Sequence, residues 1–132
     1  MGASVQLIVN DSLCANEDGF KIQVRLNWYR SLPLSCVEDV SLVLDGESID
    51  KASIVFGINE HEYSLDEMAE LVDECWFVQD YATLTVKQPG KVSRGGKHTV
   101  DAQIFLRAPY IPVGPGKFLT MPSRYSTVQV AA

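Results

Sequence analysis

Apolar and polar residues alternate with a period of two along most of the chain, the spacing of strands that bury one face. The clearest case is Phe20, Ile22, Val24, Leu26 and Trp28 set against Lys21, Gln23, Arg25 and Asn27. Val100, Ala102, Ile104, Leu106 and Ala108 repeat the pattern against Thr99, Asp101, Gln103 and Arg107, with Phe105 interrupting the polar side. Shorter strands are predicted at 36–44, 53–58, 75–78 and 82–88, and others at 4–9 and 125–130. Asp45-Gly46 predicts a tight reversal, while Pro89-Gly90 and Gly95-Gly96 bound a loop. Regularly spaced short strands predict an all-β fold, an antiparallel two-sheet β-sandwich, with a small barrel as the alternative.

One short α-helix interrupts the strands. Ser64 followed by Glu67 makes a capping box, and Leu65, Met68, Leu71 and Val72 recur at helical spacing, which predicts a helix of two or three turns at 65–73. Seven carboxylates surround it: Glu60, Glu62, Asp66, Glu67, Glu70, Asp73 and Glu74. Acids early in a helix are favoured by its dipole and the rest form a solvated face, a reading preferred to a metal or catalytic cluster.

The length of 132 residues fits one domain, taken as 1–132, and a chain of this size buries roughly two-thirds of the surface its unfolded form exposes. It therefore needs neither a structural metal nor a disulfide framework. Eleven Lys and Arg against seventeen Asp and Glu give a net charge of −6, the wrong sign for a phosphate-backbone binder. No basic-apolar leader and no membrane-length apolar run stand out, and Cys14, Cys36 and Cys75 form no C-x-x-C pair. A cytoplasmic protein with reduced thiols is expected.

Independent catalytic machinery is not evident. The run GKVSRGGKH at 90–98 departs from a phosphate loop, because Gly96 is inserted before Lys97 and His98 stands where Ser or Thr would coordinate magnesium. His61 and His98 have no metal-ligand spacing, and nothing near Cys36 signals an activated nucleophile. Two stretches are more particular. In Asn27 to Cys36 a strong strand runs into Trp28, Tyr29, Arg30, Pro33 and Leu34, a set that either meets a planar ligand or a protein partner or simply closes the end of the sandwich. In Arg107 to Gly116 three prolines stiffen an extended exit from the second long strand, suited to a docking edge.

The run GFKIQVRLNWYRSLPLSCVEDVSLVLDGESI at 19–49, the stretch Trp76 to Asp80 before Ala82-Thr83-Leu84, and Arg107 to Pro112 resemble the small (β) subunit of bacterial C-glycoside deglycosidases. The resemblance covers 19–112 and implies that this chain is one subunit of a hetero-oligomer. A larger TIM-barrel α subunit would carry the acid/base residues and a divalent metal, expected to be manganese, with no cofactor in this chain. The complex would cleave the carbon–carbon bond of 3-keto-C-glycosides of aromatic aglycones such as flavonoids. Tyr29, Arg30, Pro33 and Leu34 are then expected at the edge of the substrate pocket. Trp28, Arg107, Pro109, Tyr110, Ile111 and Pro112 are expected at the partner interface. A free-standing carbohydrate-binding or protein-interaction β-sandwich module remains the alternative, because such folds host many functions.

Overall fold

The computed structural model describes residues 7–26 and 31–132. Eleven strands follow in order: β1 (Cys14–Asn16), β2 (Gly19–Arg25), β3 (Leu32–Pro33), β4 (Val37–Leu44), β5 (Glu47–Ser48), β6 (Ile54–Ile58), β7 (His61–Ser64), β8 (Cys75–Trp76), β9 (Tyr81–Val86), β10 (Lys97–Gly114) and β11 (Lys117–Val130). They form antiparallel sheets ordered β1-β2-β9-β6-β7 and β11-β10-β4-β5, with a small third pair, β3-β8. Alternation sets which side chains meet between the two large sheets. Phe20, Ile22 and Val24 of β2, Leu84 of β9 and Phe56 of β6 share one core cluster with Val40 and Leu42 of β4 and Ile104 of β10. Trp76 is fully buried and packs edge-on against Phe56, with ring centroids 5.3 Å apart.

Asp45 and Gly46 take φ of 50° and 85°, the left-handed pair that a tight β4–β5 hairpin needs. The two sheets are laced at one edge by the buried Gln129. Its Oε1 accepts from Ser12 N at 3.1 Å and Leu13 N at 3.0 Å, and its Nε2 donates to Val9 O at 2.8 Å.

Two expectations change. The predicted α-helix at 65–73 is a 3-10 helix, Leu65–Glu70. Its start is as expected, with Glu67 Oε1 accepting from Ser64 N at 2.9 Å. Its end is set by competition. Leu71 O accepts from Ser35 N at 3.1 Å and Glu74 O from Leu34 N at 2.8 Å, so the backbone that would extend the helix is held by a neighbouring segment. The second difference is larger. The strands predicted at 100–108 and 125–130 run from Lys97 to Gly114 and from Lys117 to Val130, and pair as one long hairpin. Its turn is Pro115-Gly116, with Gly116 at φ 69°, the left-handed value a glycine takes most easily after proline. Of the strand predicted at 4–9, residues 7–9 lie along β2 through Val9 N to Gln23 O at 2.9 Å and Arg25 N to Leu7 O at 2.7 Å.

Candidate functional site

The paired register makes part of the hairpin an arm. The last β4 partner of β10 is Val37, opposite Leu106, so Arg107 to Gly114 and the matching start of β11 continue past the end of the sheet. They do so at the end where the 3-10 turn Leu34–Cys36 feeds into β4. Arg107 joins the two features. Its Nη2 donates to Ser35 O at 3.2 Å and its Nη1 lies 3.6 Å from Glu38 Oε2, while Glu38 Oε1 accepts from Thr120 Oγ1 at 2.8 Å across the hairpin.

The segment entering the turn is held from its other side as well. β3 pairs with β8, and Ser31 Oγ accepts from Val78 N at 3.0 Å. Trp76 Nε1 donates to Asp80 O at 2.9 Å, closing a turn that displays Phe77 and Val78. The Arg25 guanidinium sits 4.7 Å over the Tyr81 ring at the same end. The sequence stretches around 31–36 and 107–116 thus meet at one end of the sandwich.

The expected site residues divide accordingly. Trp28, Tyr29 and Arg30 lie outside the described residues. Pro33 is half-buried, and Leu34 is fully buried in the core, where it closes the end of the sandwich. Arg107 is part-buried at the arm's root, Pro109, Tyr110 and Pro112 are exposed, and Ile111 is half-buried. Glu38, Lys117, Phe118 and Thr120 also belong to this region. They escaped the sequence reading because the return strand of the arm was not recognised, although Pro115-Gly116 between apolar residues was its signal. A hollow of about 710 Å³ lies on the arm, lined by Arg107, Pro109, Val113, Lys117 and Phe118 among others.

Other chemistry-bearing groups have local structural partners. Cys36 is buried, and burial pushes its thiol up, with Arg107 offsetting part of the effect; an inaccessible thiol held protonated is a poor nucleophile. His98 Nδ1 lies 2.7 Å from Asp45 Oδ2, and its Nε2 accepts from Ser93 N at 3.3 Å. Gly96 N donates to Ser93 O at 2.8 Å, so the glycine-rich run forms a strapped turn. Within the acidic stretch, Glu74 accepts from Asn59 Nδ2 at 2.8 Å and Tyr63 Oη at 2.9 Å, which holds its carboxyl below the usual range. A second hollow of about 320 Å³ near Met68 contains the ion pair of Lys51 with Asp39, 2.6 Å apart. Among the described residues no group of three His, Cys, Asp or Glu side chains is placed to hold a metal, and no helix is long and apolar enough to cross a membrane.

A family model described as the C-glycoside deglycosidase beta subunit matches residues 5–110. A Microbacterium protein named 3'-dehydrocarminate deglycosidase beta subunit is 44% identical over 116 residues, covering 88% of this chain and 86% of the relative. C-glycoside deglycosidase beta subunits of Microbacterium trichothecenolyticum and Arthrobacter globiformis are 34% and 28% identical, covering 68% and 90% of this chain and 67% and 90% of their own lengths. With most of its length matched in this way, the chain belongs to the C-glycoside deglycosidase beta-subunit family.

Proposed function

We propose that this chain works with a larger TIM-barrel α subunit to cleave the carbon–carbon glycosidic bond of 3-keto-C-glucosides of aromatic aglycones. The observation that carries the reading within the chain is the Arg107–Ser35 bond, which fixes the apolar arm beside the 31–36 segment at one end of the sandwich. That end then docks on the α subunit through the arm and lays the loop that includes Tyr29, Arg30 and Pro33 along the rim of the substrate pocket. Arg30 would hold a phenolate or sugar oxygen by charge-assisted hydrogen bonds. The 44%-identical relative is named for a 3'-dehydro substrate, which supports an oxidised sugar here too.

A ketone at C3 of the sugar explains how such a bond breaks. It acidifies the hydrogen on C2, and loss of that proton drives expulsion of the aglycone from C1, the aglycone carbon taking up a proton as it leaves. A divalent metal in the α subunit would stabilise negative charge on the ketone oxygen. The β subunit contributes shape and position and performs no proton transfer. Its three unpaired cysteines support a reducing, cytoplasmic setting.

The test is co-expression with the large subunit and assay on a 3-keto-C-glucoside and on the same glucoside with C3 unoxidised. Release of aglycone from the keto compound alone is expected. Equal turnover of the unoxidised glucoside would overturn the keto-sugar reading, and absence of a complex would overturn the subunit pairing.

A further inference from the structure

The arm's chemistry narrows how it docks. A two-stranded arm offers a partner either its backbone edges, for strand addition, or its side-chain faces. The β10 edge of the arm carries prolines, and the β11 edge meets one just past the arm. Pro109 and Pro112 lie on β10 beyond its last β4 partner, and Pro122 lies on β11, the outer strand of its sheet. Proline brings no N–H to a ladder, and at sheet edges it blocks pairing with another chain. Strand addition is therefore obstructed along the β10 side of the arm, and on the β11 side it can run no further than Pro122.

One face is shaped instead. Arg107 and Thr120 are cross-strand partners and so share a face, and the 710 Å³ hollow extends from them past Pro109, Val113 and Phe118 to Lys117 beside the hairpin turn. Val113 is 60% and Phe118 39% exposed, large values for apolar side chains. Arg107 is neutralised by Glu38 at one end, whereas Lys117 at the other has no ion-pair partner among the described residues. An apolar floor ending in an uncompensated cation, on a chain of net charge −6, matches an apolar side chain flanked by a carboxylate. A second copy of the arm does not supply this, because 107–120 contains Arg107 and Lys117 and no acidic residue.

We infer that the large subunit is gripped by this arm face, with an apolar side chain seated on Pro109, Val113 and Phe118 and a neighbouring carboxylate paired with Lys117. The inference rests on the proposed pairing with an α subunit and adds the docking mode.

The experiment measures the dissociation constant of the αβ complex by sedimentation for four variants, three of them full-length, each first checked for a cooperative thermal transition. Val113→Asp and Lys117→Glu change exposed side chains. Pro122→Thr restores an edge N–H. In the fourth, a two-residue Asn-Gly turn joins Ala108 to Leu119, which face each other in the hairpin, and so removes the arm. Val113→Asp and Lys117→Glu are each expected to weaken binding at least tenfold, with Lys117→Glu also reducing its salt dependence, and Pro122→Thr to leave it unchanged. A complex that persists without the arm overturns the arm's role in the proposed pairing. Loss of the complex without the arm, with Val113→Asp and Lys117→Glu binding like wild type, overturns the face inference alone. Tighter binding by Pro122→Thr would mean strand addition, and self-association abolished by Val113→Asp would mean that the occupant is a second copy; either result overturns it. If the armless chain fails to fold, the two exposed substitutions decide the question.

Discussion

Replacing Arg107 by Met keeps most of the apolar stem and removes the guanidinium that ties the arm to the 31–36 segment. Two contacts are lost. The bond from Nη2 to Ser35 O is charge-assisted, at 3.2 Å, and part-buried, so its removal costs about 1–2 kcal/mol. The pair with Glu38 is longer at 3.6 Å, and its side chains are 35% and 36% exposed. A pair so open to solvent contributes no more than about 0.5–1 kcal/mol. Arg107→Met should therefore destabilise the chain by about 1.5–3 kcal/mol, a fall of roughly 5–11 °C in Tm for a domain of this size. Glu38→Gln preserves an acceptor for Thr120 and loses only the ion pair, so it should cost under about 1 kcal/mol.

Urea unfolding of the two variants and of their combination separates these contributions. The combination should differ from the sum by no more than about 0.5–1 kcal/mol, the size of the pair. Arg107→Met should also loosen the arm and weaken assembly with the large subunit. The reasoning is wrong if Glu38→Gln costs as much as Arg107→Met, because the carbonyl bond would then not be what anchors the arm. It is equally wrong if Arg107→Met is neutral.

Gln129→Leu strands the Ser12 and Leu13 N–H groups and leaves the Val9 carbonyl only its Ser12 Oγ donor, and should cost about 2–4 kcal/mol in urea unfolding; a cost under 1 kcal/mol would mean that the sheet edge is closed by other contacts. Gly19→Ala drives a Cβ into the Val86 carbonyl oxygen at φ 151°, and a loss of about 2–4 kcal/mol is expected, whereas a variant melting like wild type would contradict that close approach. Asp45 and Glu74 have depressed carboxyl pKa values in the fold, caused first by the His98 and Asn59 hydrogen bonds respectively. Their unfolded forms hold protons more readily, so their contribution is present above the usual carboxylate pKa of about 4 and is lost as pH falls below it. Urea midpoints between pH 6 and 3 should fall less steeply for Asp45→Asn with Glu74→Gln than for wild type, and parallel curves would sink the assignment. In the assembled complex, Tyr29→Ala and Arg30→Ala should each lower kcat/KM about ten- to a hundredfold with metal content intact; unchanged kinetics in both would remove the loop from the pocket.

The sheets were legible in the sequence because their determinants are local. Period-two alternation in 20–26 and 100–108, and Asp45-Gly46 at a hairpin, fix faces and reversals without reference to distant residues. The arm was not legible as a hairpin, because the prolines at 109, 112 and 115 mark a stiffened exit from a strand and Pro122 interrupts the return. Those at 109, 112 and 122 are tolerated because they occupy edges, and which strand is an edge is settled only by the sheet order. The helix at 65–73 was overestimated for a related reason. Its capping box is local, but the bonds from Leu34 and Ser35 that end it come from more than 30 residues away in sequence. Arg107 and the prolines at 109 and 112 could be singled out by residue type, whereas Glu38, Lys117, Phe118 and Thr120 join them only through cross-strand register.

The central claim, that this chain completes an enzyme whose chemistry resides in its partner, is tested most directly by titration. The large subunit and this chain are purified separately, analysed for bound manganese, cobalt and zinc, and mixed at increasing ratio with a 3-keto-C-glucoside. Metal in the large subunit only, no turnover by this chain alone, and aglycone release that rises with added chain until a fixed stoichiometry is reached are expected. Stoichiometric metal in the isolated chain, turnover by the chain alone, or full activity of the large subunit without it would contradict the account.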